Sequence, residues 1–159
     1  MRQLLLLRHA KAEAARAGLP DVERPLSASG RASALEAAQS IAHTGLPIDA
    51  VLSSPAVRAR DTALILATAL DIVSLVRFEP TMYPGAPGTL LALLQRCDPQ
   101  ARSVLMVGHN PGISELAQQL ASGGPALELR TAGLCRLQFA LASWGDVKFE
   151  TATACTVLR

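Results

Sequence analysis

Hydrophobic positions along the chain follow two patterns. Short apolar runs, the first at residues 4–7, are separated by longer segments in which apolar residues recur every three or four positions. The uninterrupted runs predict strands that are buried on both faces, and the longer segments predict helices between them. This order is typical of an α/β domain with a mostly parallel central sheet. We expect residues 1–159 to form one domain, because this length suits a single hydrophobic core.

The pattern also places the individual elements. Ser27 is expected to cap the first helix, which would bury Leu35, Ala38, Ile41 and Ala42. Pro55 is expected in the first turn of the second helix, where its missing N–H is not needed. Further strands are predicted at 51–52, 75–78, 104–107, 135–139 and near 147–157, further helices at 90–97 and 113–121, and a turn at 123–125.

Polar side chains follow three of the predicted strands. Arg8 and His9 follow the first, Ser54 and Arg58 the second, and His109 the fourth. Because ligands bind at the carboxyl ends of the strands in such sheets, we expect these side chains to converge. Two guanidinium groups suit a dianionic phosphoryl group. One neutral imidazole could attack phosphorus while the other, protonated, stabilises the transferring group.

Composition narrows the classes of partner. Aromatic residues make up 3% of the chain and the net charge is +2, so neither nucleic acid nor a membrane surface is expected as a partner. Three cysteines without a CxxC pair argue against a disulfide framework or a zinc site. No run approaches the roughly 20 apolar residues of a membrane span, and no signal peptide is visible, so a cytoplasmic location is expected.

Three motifs in order carry a family resemblance. They are Leu-Leu-Arg-His-Ala ending at Ala10, Ser-Ser-Pro-Ala-Val-Arg-Ala-Arg-Asp-Thr-Ala ending at Ala63, and Val-Gly-His-Asn-Pro ending at Pro111. Together they resemble the motifs of the histidine phosphatase superfamily, with Ala10 in place of the usual glycine. The short length and the segment Arg-Pro-Leu-Ser at 24–27 are most similar to the SixA branch, the bacterial phosphohistidine phosphatases.

The resemblance implies a phosphoglycerate mutase-like, three-layer α/β/α fold and a set of roles. His9 would be the nucleophile that becomes phosphohistidine, Arg8 and Arg58 would bind the phosphoryl oxygens, and His109 would stabilise the transition state. Water would then hydrolyse the phosphoenzyme without a metal or an organic cofactor. The substrate would be a phosphorylated protein or a small phosphorylated metabolite.

Several further residues have open roles. Arg24 either lines the mouth of the pocket or holds its loop. Ser54 either donates to phosphate or caps the helix near Pro55. Asn110, next to the second histidine, is a candidate for substrate binding as well as a turn residue.

The proton donor for the leaving group has no clear match to the family pattern. Glu79 is the nearest candidate, and Asp21 and Glu13 are weaker ones. An imidazole leaving group needs less help from an acid than an alkoxide does, so the pattern favours protein phosphohistidine as substrate. The alternatives are a small-molecule phosphomonoesterase of the same family and a phosphate-binding module without turnover. A phosphoglycerate mutase is disfavoured, because the chain is too short for its substrate-enclosing insertions.

Overall fold

The computed structural model describes residues 1–121 and 126–159, and the turn predicted at 123–125 lies outside them. The described residues form a central sheet with helices on both faces. The strands are β1 (Arg2–Arg8), β2 (Ala50–Ser53), β3 (Val76–Phe78), β4 (Ser103–Gly108), β5 (Leu134–Phe139) and β6 (Ala154–Val157). The helices are α1 (Ala28–His43), α2 (Val57–Ala69), α3 (Pro87–Gln95) and α4 (Gly112–Leu120).

The sheet has the strand order β3-β2-β4-β1-β5-β6. Strands β1 to β4 pair in parallel, whereas β5 runs antiparallel to both β1 and β6. Arg8 pairs with Gly108 across β1 and β4, and Ser53 pairs with Val107 across β2 and β4. The carboxyl ends of three adjacent strands therefore lie level at one edge, as the mostly parallel sheet predicts.

The leucines of β1 divide between two cores. Leu4 and Leu6 belong to the core under α3 and α4, while Leu5 and Leu7 belong to the core under α1 and α2. All four are fully buried. Burying one such side chain contributes about 1.5–3 kcal/mol. The uninterrupted apolar run is explained by this two-sided burial, and the three-layer arrangement is confirmed.

The predicted burial pattern of α1 is partly wrong. Ser27 caps the helix as expected, since its side chain accepts a hydrogen bond from the Gly30 N–H. Leu35, however, is 48% exposed, and Ala42 is also exposed. The buried stripe consists of small residues plus one isoleucine, which lets α1 pack closely against α2. Its members are Gly30, Ala34, Ala37, Ala38 and Ile41.

The bounds of α2 and of the last strand also differ from the predictions. Helix α2 begins at Val57, two residues after Pro55, because Ser54 Oγ accepts a hydrogen bond from the Ala56 N–H and holds the preceding residues in a turn. The last strand is confined to Ala154–Val157, since the segment before it turns through hydrogen bonds between Lys148 and Thr151. In the part of the chain that the structure describes, no helix is both long enough and apolar enough to cross a bilayer.

Candidate active site

Two of the three histidines meet at the carboxyl edge of the sheet. His9 follows β1 directly, and His109 follows β4, its parallel neighbour. Their ring centroids lie 5.1 Å apart, and both residues are buried. They line a cleft of about 340 Å³, here called the histidine cleft. Its lining residues are Arg8, His9, Lys11, Ala12, Arg24, Arg58, His109, Asn110 and Thr131.

The His9 ring is held in one orientation. Its Nδ1 lies 2.8 Å from the carbonyl oxygen of Ala10, to which it donates, and its Nε2 accepts a hydrogen bond of 3.3 Å from Arg58 Nε. Burial, with the nearby Arg58 and Arg8 charges, lowers the His9 pKa to about 4, although the bond to Ala10 opposes this shift. The imidazole is therefore neutral at pH 7, and the lone pair on Nε2 points to the cationic side of the cleft.

Ala10 stands in place of the usual motif glycine and packs into the protein interior. Ala10 is fully buried in a small core with Leu26, Ala34 and Ala132. Its N–H donates to Thr62 Oγ1 at 3.0 Å, and that hydroxyl donates to the Arg58 carbonyl at 2.6 Å. The end of β1 is thus tied to the first turns of α2, which fixes His9 relative to Arg58.

Arg58 enters the cleft from the first turn of α2 and is 7% exposed. Its Nη1 donates to the Asp21 carbonyl at 2.7 Å, and its Nη2 donates to Asp21 Oδ2 at 3.0 Å. Asp21 lies in a short 3-10 turn of the loop after β1. The guanidinium is therefore fixed on its outer edge by one residue and faces His9 with its Nε–H.

His109 is neutral in the ligand-free protein. Burial, with His9 and Arg58 nearby, lowers its pKa to about 3. Its Nε2 shares a hydrogen bond of 2.7 Å with Ser54 Oγ, while its buried Nδ1 has no hydrogen-bond partner among the described residues. The ligand-free state therefore lacks the proton that a charge-stabilising role of His109 needs. A bound phosphoryl dianion would raise the pKa, because an opposite charge favours the protonated ring.

Arg8 and Arg24 complete the cationic wall. Arg8 Nη1 donates to the Leu129 carbonyl at 3.0 Å. Arg24 donates to the Glu13 carbonyl through Nε and Nη2, at 3.1 and 2.9 Å, and to Asp21 Oδ1 through Nη1 at 3.0 Å. Arg24 therefore has both of the roles left open by the sequence, since it lines the cleft and also holds the loop.

Three candidate residues lie elsewhere or are otherwise engaged. Ser54 does not cap α2 but joins His109 to the turn before the helix. Asn110 lines the cleft, yet its Nδ2 donates to the Leu129 carbonyl and its Oδ1 accepts from Ser114, so its side chain shapes the wall. Glu79 lines a separate cleft between β3 and α3, so the structure does not bring it to His9.

Sequence reasoning missed two residues of the site. Lys11 lines the histidine cleft two positions after His9. Tyr83 donates from its hydroxyl to Asp21 Oδ2 at 2.7 Å, and its ring lies edge-on to His109 with centroids 5.3 Å apart. Tyr83 is the only tyrosine of the chain and follows β3 in a loop rich in proline and glycine. Its place after a strand end was the signal that could have found it.

Side chains that could ligate a metal ion do not cluster among the described residues. Across residues 1–121 and 126–159, no three side chains of His, Cys, Asp or Glu gather as a potential metal site. The groups that the cleft offers for chemistry are a neutral imidazole and the guanidinium groups beside it.

Comparison with known proteins agrees with this geometry. Residues 4–81 match the model of the histidine phosphatase superfamily (branch 1). A candidate SixA phosphohistidine phosphatase from Agrobacterium tumefaciens is 30% identical, with a TM-score of 0.75, over 86% of this chain and 91% of that one. Another from Nakamurella multipartitia is 27% identical, with a TM-score of 0.78, over 98% and 95%. An uncharacterized Picosynechococcus protein is 38% identical over 74% of this chain and 73% of its own length.

The chain belongs to the histidine phosphatase superfamily. Within that superfamily it is of the SixA type, with the phosphoglycerate mutase-like fold. Membership supports phosphatase activity as the class of reaction.

Proposed function

We propose that this protein removes the phosphoryl group from phosphohistidine on a protein substrate, through a phosphorylated intermediate on His9. The observation that carries the proposal is the state of His9. Its Nδ1–H is engaged with a backbone carbonyl, and its Nε2 presents a lone pair beside Arg58. A module that only binds phosphate needs the arginines but has no use for a nucleophile oriented in this way.

In the first step, His9 Nε2 attacks phosphorus and the bond from phosphorus to the substrate nitrogen breaks. Arg58 Nε, which donates to Nε2 in the ligand-free protein, is then free to donate to a phosphoryl oxygen. Arg8 and Arg24 line the same cleft and add positive charge around the transferring group. His109, about 5 Å from His9 between centroids, gains a proton most readily once the dianion is present.

In the second step, water attacks phosphorus of phospho-His9, the bond between phosphorus and Nε2 breaks, and inorganic phosphate leaves. The hydrogen bond from Nδ1 to the Ala10 carbonyl keeps the ring in the same orientation through both steps. Nε2 regains its lone pair at the end. The arginines bind the departing anion as they bound the substrate.

The lining of the cleft favours an N-linked phosphoryl group. Among the described residues, no carboxyl group lines the histidine cleft. Asp21, the nearest carboxylate to Arg58, is held ionised because hydrogen bonds from Tyr83 and Arg24 lower its pKa, so it cannot serve as a proton donor. Phosphohistidine that is protonated on its other ring nitrogen leaves as neutral imidazole and needs no enzymic acid. An alkyl phosphate leaves as an alkoxide and does need one.

The test compares two substrates with three proteins. Wild type, His9→Ala and a matched control, His43→Ala, are assayed with a phosphohistidine-bearing protein and with an alkyl phosphate. His43 is exposed on α1. We expect His9→Ala to lose at least about 10³-fold in kcat, as for removal of a covalent nucleophile. We expect His43→Ala to keep wild-type rates.

The intermediate and the substrate class are checked separately. Rapid quench with labelled phosphohistidine protein should trap an acid-labile, alkali-stable label on His9. Turnover by His9→Ala at the wild-type rate would overturn the assignment of the nucleophile. Higher kcat/KM on the alkyl phosphate than on the phosphoprotein would leave the nucleophile in place but refute the phosphohistidine substrate and favour a small-molecule phosphomonoesterase.

A further inference from the structure

Asp21 does not line the histidine cleft, but it is the centre of a hydrogen-bonded group that includes Arg24 and Arg58 of the cleft wall. Its Oδ2 accepts from Arg58 Nη2 at 3.0 Å and from the Tyr83 hydroxyl at 2.7 Å, and its Oδ1 accepts from Arg24 Nη1 at 3.0 Å. Its backbone carbonyl accepts a further bond from Arg58 Nη1. One residue therefore joins the loop after β1, the start of α2 and the loop after β3.

Tyr83 extends this group to the second histidine. Its ring lies edge-on to His109, and the Arg58 guanidinium carbon lies 5.9 Å from its centroid. Tyr83 thus packs the face of its ring against Arg58, makes an edge-to-face contact with the His109 ring, and donates a hydrogen bond from its hydroxyl to Asp21. Loss of the hydroxyl alone would keep the ring contacts and remove only the bond to the carboxylate.

The geometry points to Asp21 and Tyr83 as positioning residues that aim the Arg58 guanidinium at the phosphoryl group on His9. This inference rests on the proposed function. Asp21 occupies the outer edge of the guanidinium through Nη1 and Nη2, while Nε–H remains directed at His9 Nε2. A planar guanidinium that is fixed on one edge presents its remaining N–H groups in a fixed direction. Preorganised donors stabilise transition-state charge without reorganising during the reaction.

A competing role for Asp21 makes the opposite prediction. A carboxylate beside Arg58 and Arg24 could compete with the phosphoryl dianion for both guanidinium groups. Its removal would then strengthen anion binding and raise kcat/KM. Under the positioning role, removal of the carboxylate leaves Arg58 free to move, which weakens anion binding and lowers kcat/KM. The sign of the change therefore separates the two roles.

The test is a double-mutant cycle with Asp21→Asn and Arg58→Ala, assayed by steady-state kinetics on a phosphohistidine-bearing protein. Asn keeps the size of the side chain and removes its charge. We expect Asp21→Asn to lower kcat/KM about 10- to 100-fold, more through kcat than KM, since small misplacements of catalytic groups have effects of this size. In the Arg58→Ala background, the same change should have less than about a twofold effect, because the two residues act as one unit.

Two further variants bracket the result. Tyr83→Phe should lower kcat/KM about three- to tenfold, as expected for the loss of one ordinary hydrogen bond. Asp146→Asn, which removes the same charge from an exposed turn near Trp144, should leave kcat/KM unchanged. Binding of inorganic phosphate, measured by calorimetry, should weaken in Asp21→Asn and Tyr83→Phe but not in Asp146→Asn.

Each other outcome overturns the inference. Unchanged or higher kcat/KM in Asp21→Asn would assign the carboxylate as a competitor or a bystander. An equal loss in the wild-type and Arg58→Ala backgrounds would show that Asp21 does not act through Arg58. Failure of the proposed function is distinguishable, because it would appear as turnover by His9→Ala whatever Asp21→Asn does.

Discussion

Among the clefts that the described residues line, two of similar size differ in their means for phosphoryl chemistry. The histidine cleft measures about 340 Å³, whereas the second, between β3 and α3, measures about 400 Å³. The β3–α3 cleft is lined by Asp49, Ala50, Leu52, Ser74, Leu75, Arg77, Glu79, Leu93, Arg96, Cys97, Asp98, Gln100 and Ala101. Volume does not distinguish them, so the difference lies in charge and in the protonation state of the candidate nucleophile.

Charge is one-sided in the first cleft and mixed in the second. The charged side chains that line the histidine cleft are Arg8, Lys11, Arg24 and Arg58. In the β3–α3 cleft, arginines stand beside carboxylates, and Asp49 is engaged by the backbone N–H groups of Arg102 and Ser103. A phosphoryl dianion is attracted to the first lining, while the second neutralises its own field.

Burial also acts differently on the candidate nucleophile of each cleft, His9 and Cys97. It lowers the pKa of His9 and so leaves the imidazole neutral, with a free lone pair. It raises the pKa of the Cys97 thiol to about 11 and so keeps that sulfur protonated. Desolvation disfavours the charged form of each group. The uncharged imidazole of His9 has the free lone pair, whereas the reactive form of a cysteine is its charged thiolate, so burial leaves Cys97 unreactive.

The largest expected difference between the clefts comes from removing one arginine from each. Arg58→Ala should lower kcat/KM on a phosphohistidine-bearing protein by about 10²- to 10³-fold, the usual loss for one preorganised donor. Arg96→Ala, the matched change in the β3–α3 cleft, should stay within about twofold of wild type. Steady-state kinetics on the two variants make the comparison. Similar losses of kcat/KM in both variants would show that the histidine cleft is no more important for the reaction than the β3–α3 cleft.

The next largest effect is expected in the pH dependence of the free energy of unfolding. As pH falls below 6.5, unfolded His9 takes up a proton while the folded residue stays neutral until about pH 4, so the free energy of unfolding falls. Stability falls with pH because the unfolded state binds more protons than the folded state between pH 6.5 and about 4. Between pH 6.5 and about 4.5, wild type should lose about 2 kcal/mol more than His9→Gln in urea unfolding. Equal losses would contradict the depressed pKa of His9.

A smaller effect is expected from two helix glycines, Gly112 at the start of α4 and Gly88 at the start of α3. A Cβ at Gly112 would lie 1.8 Å from the Gly85 carbonyl oxygen, which belongs to the loop that carries Tyr83, whereas a Cβ at Gly88 in α3 meets nothing within 4 Å. Gly112→Ala should destabilise the fold by about 1–3 kcal/mol and also reduce activity. Gly88→Ala should be neutral or slightly stabilising. Urea unfolding checks both, and an unaffected Gly112→Ala would show that the loop yields freely.

The smallest effect should come from Glu79, which the sequence suggested as an acid. Glu79→Gln removes a carboxyl group from the β3–α3 cleft and should change kcat/KM on an alkyl phosphate by less than about twofold. A tenfold loss on the alkyl phosphate, with no loss on phosphohistidine protein, would return Glu79 to the reaction as its proton donor.

The elements were more predictable than their bounds. Buried strands such as β1 follow from an apolar run that needs no tertiary context, and Ser27 capped α1 as its type suggests. The buried stripe of α1 was less predictable, because alanine-rich helices carry a weak periodic signal and Leu35 faces outward. Thus hydrophobic pattern fixed which segments are helices and strands, while packing decided their exposed faces.

The candidate site divides in the same way. Arg8, His9, Arg58 and His109 lie within motifs, each at the end of a strand or after it, so the sequence by itself placed them at the carboxyl edge of the sheet. Glu79 and Tyr83 both follow β3, yet only the fold decided that the tyrosine turns to Asp21 and His109 while the glutamate turns to α3. The physical reason is that hydrophobic runs encode locally where the strands begin and end along the chain. The direction of a loop side chain depends on contacts between segments far apart in sequence.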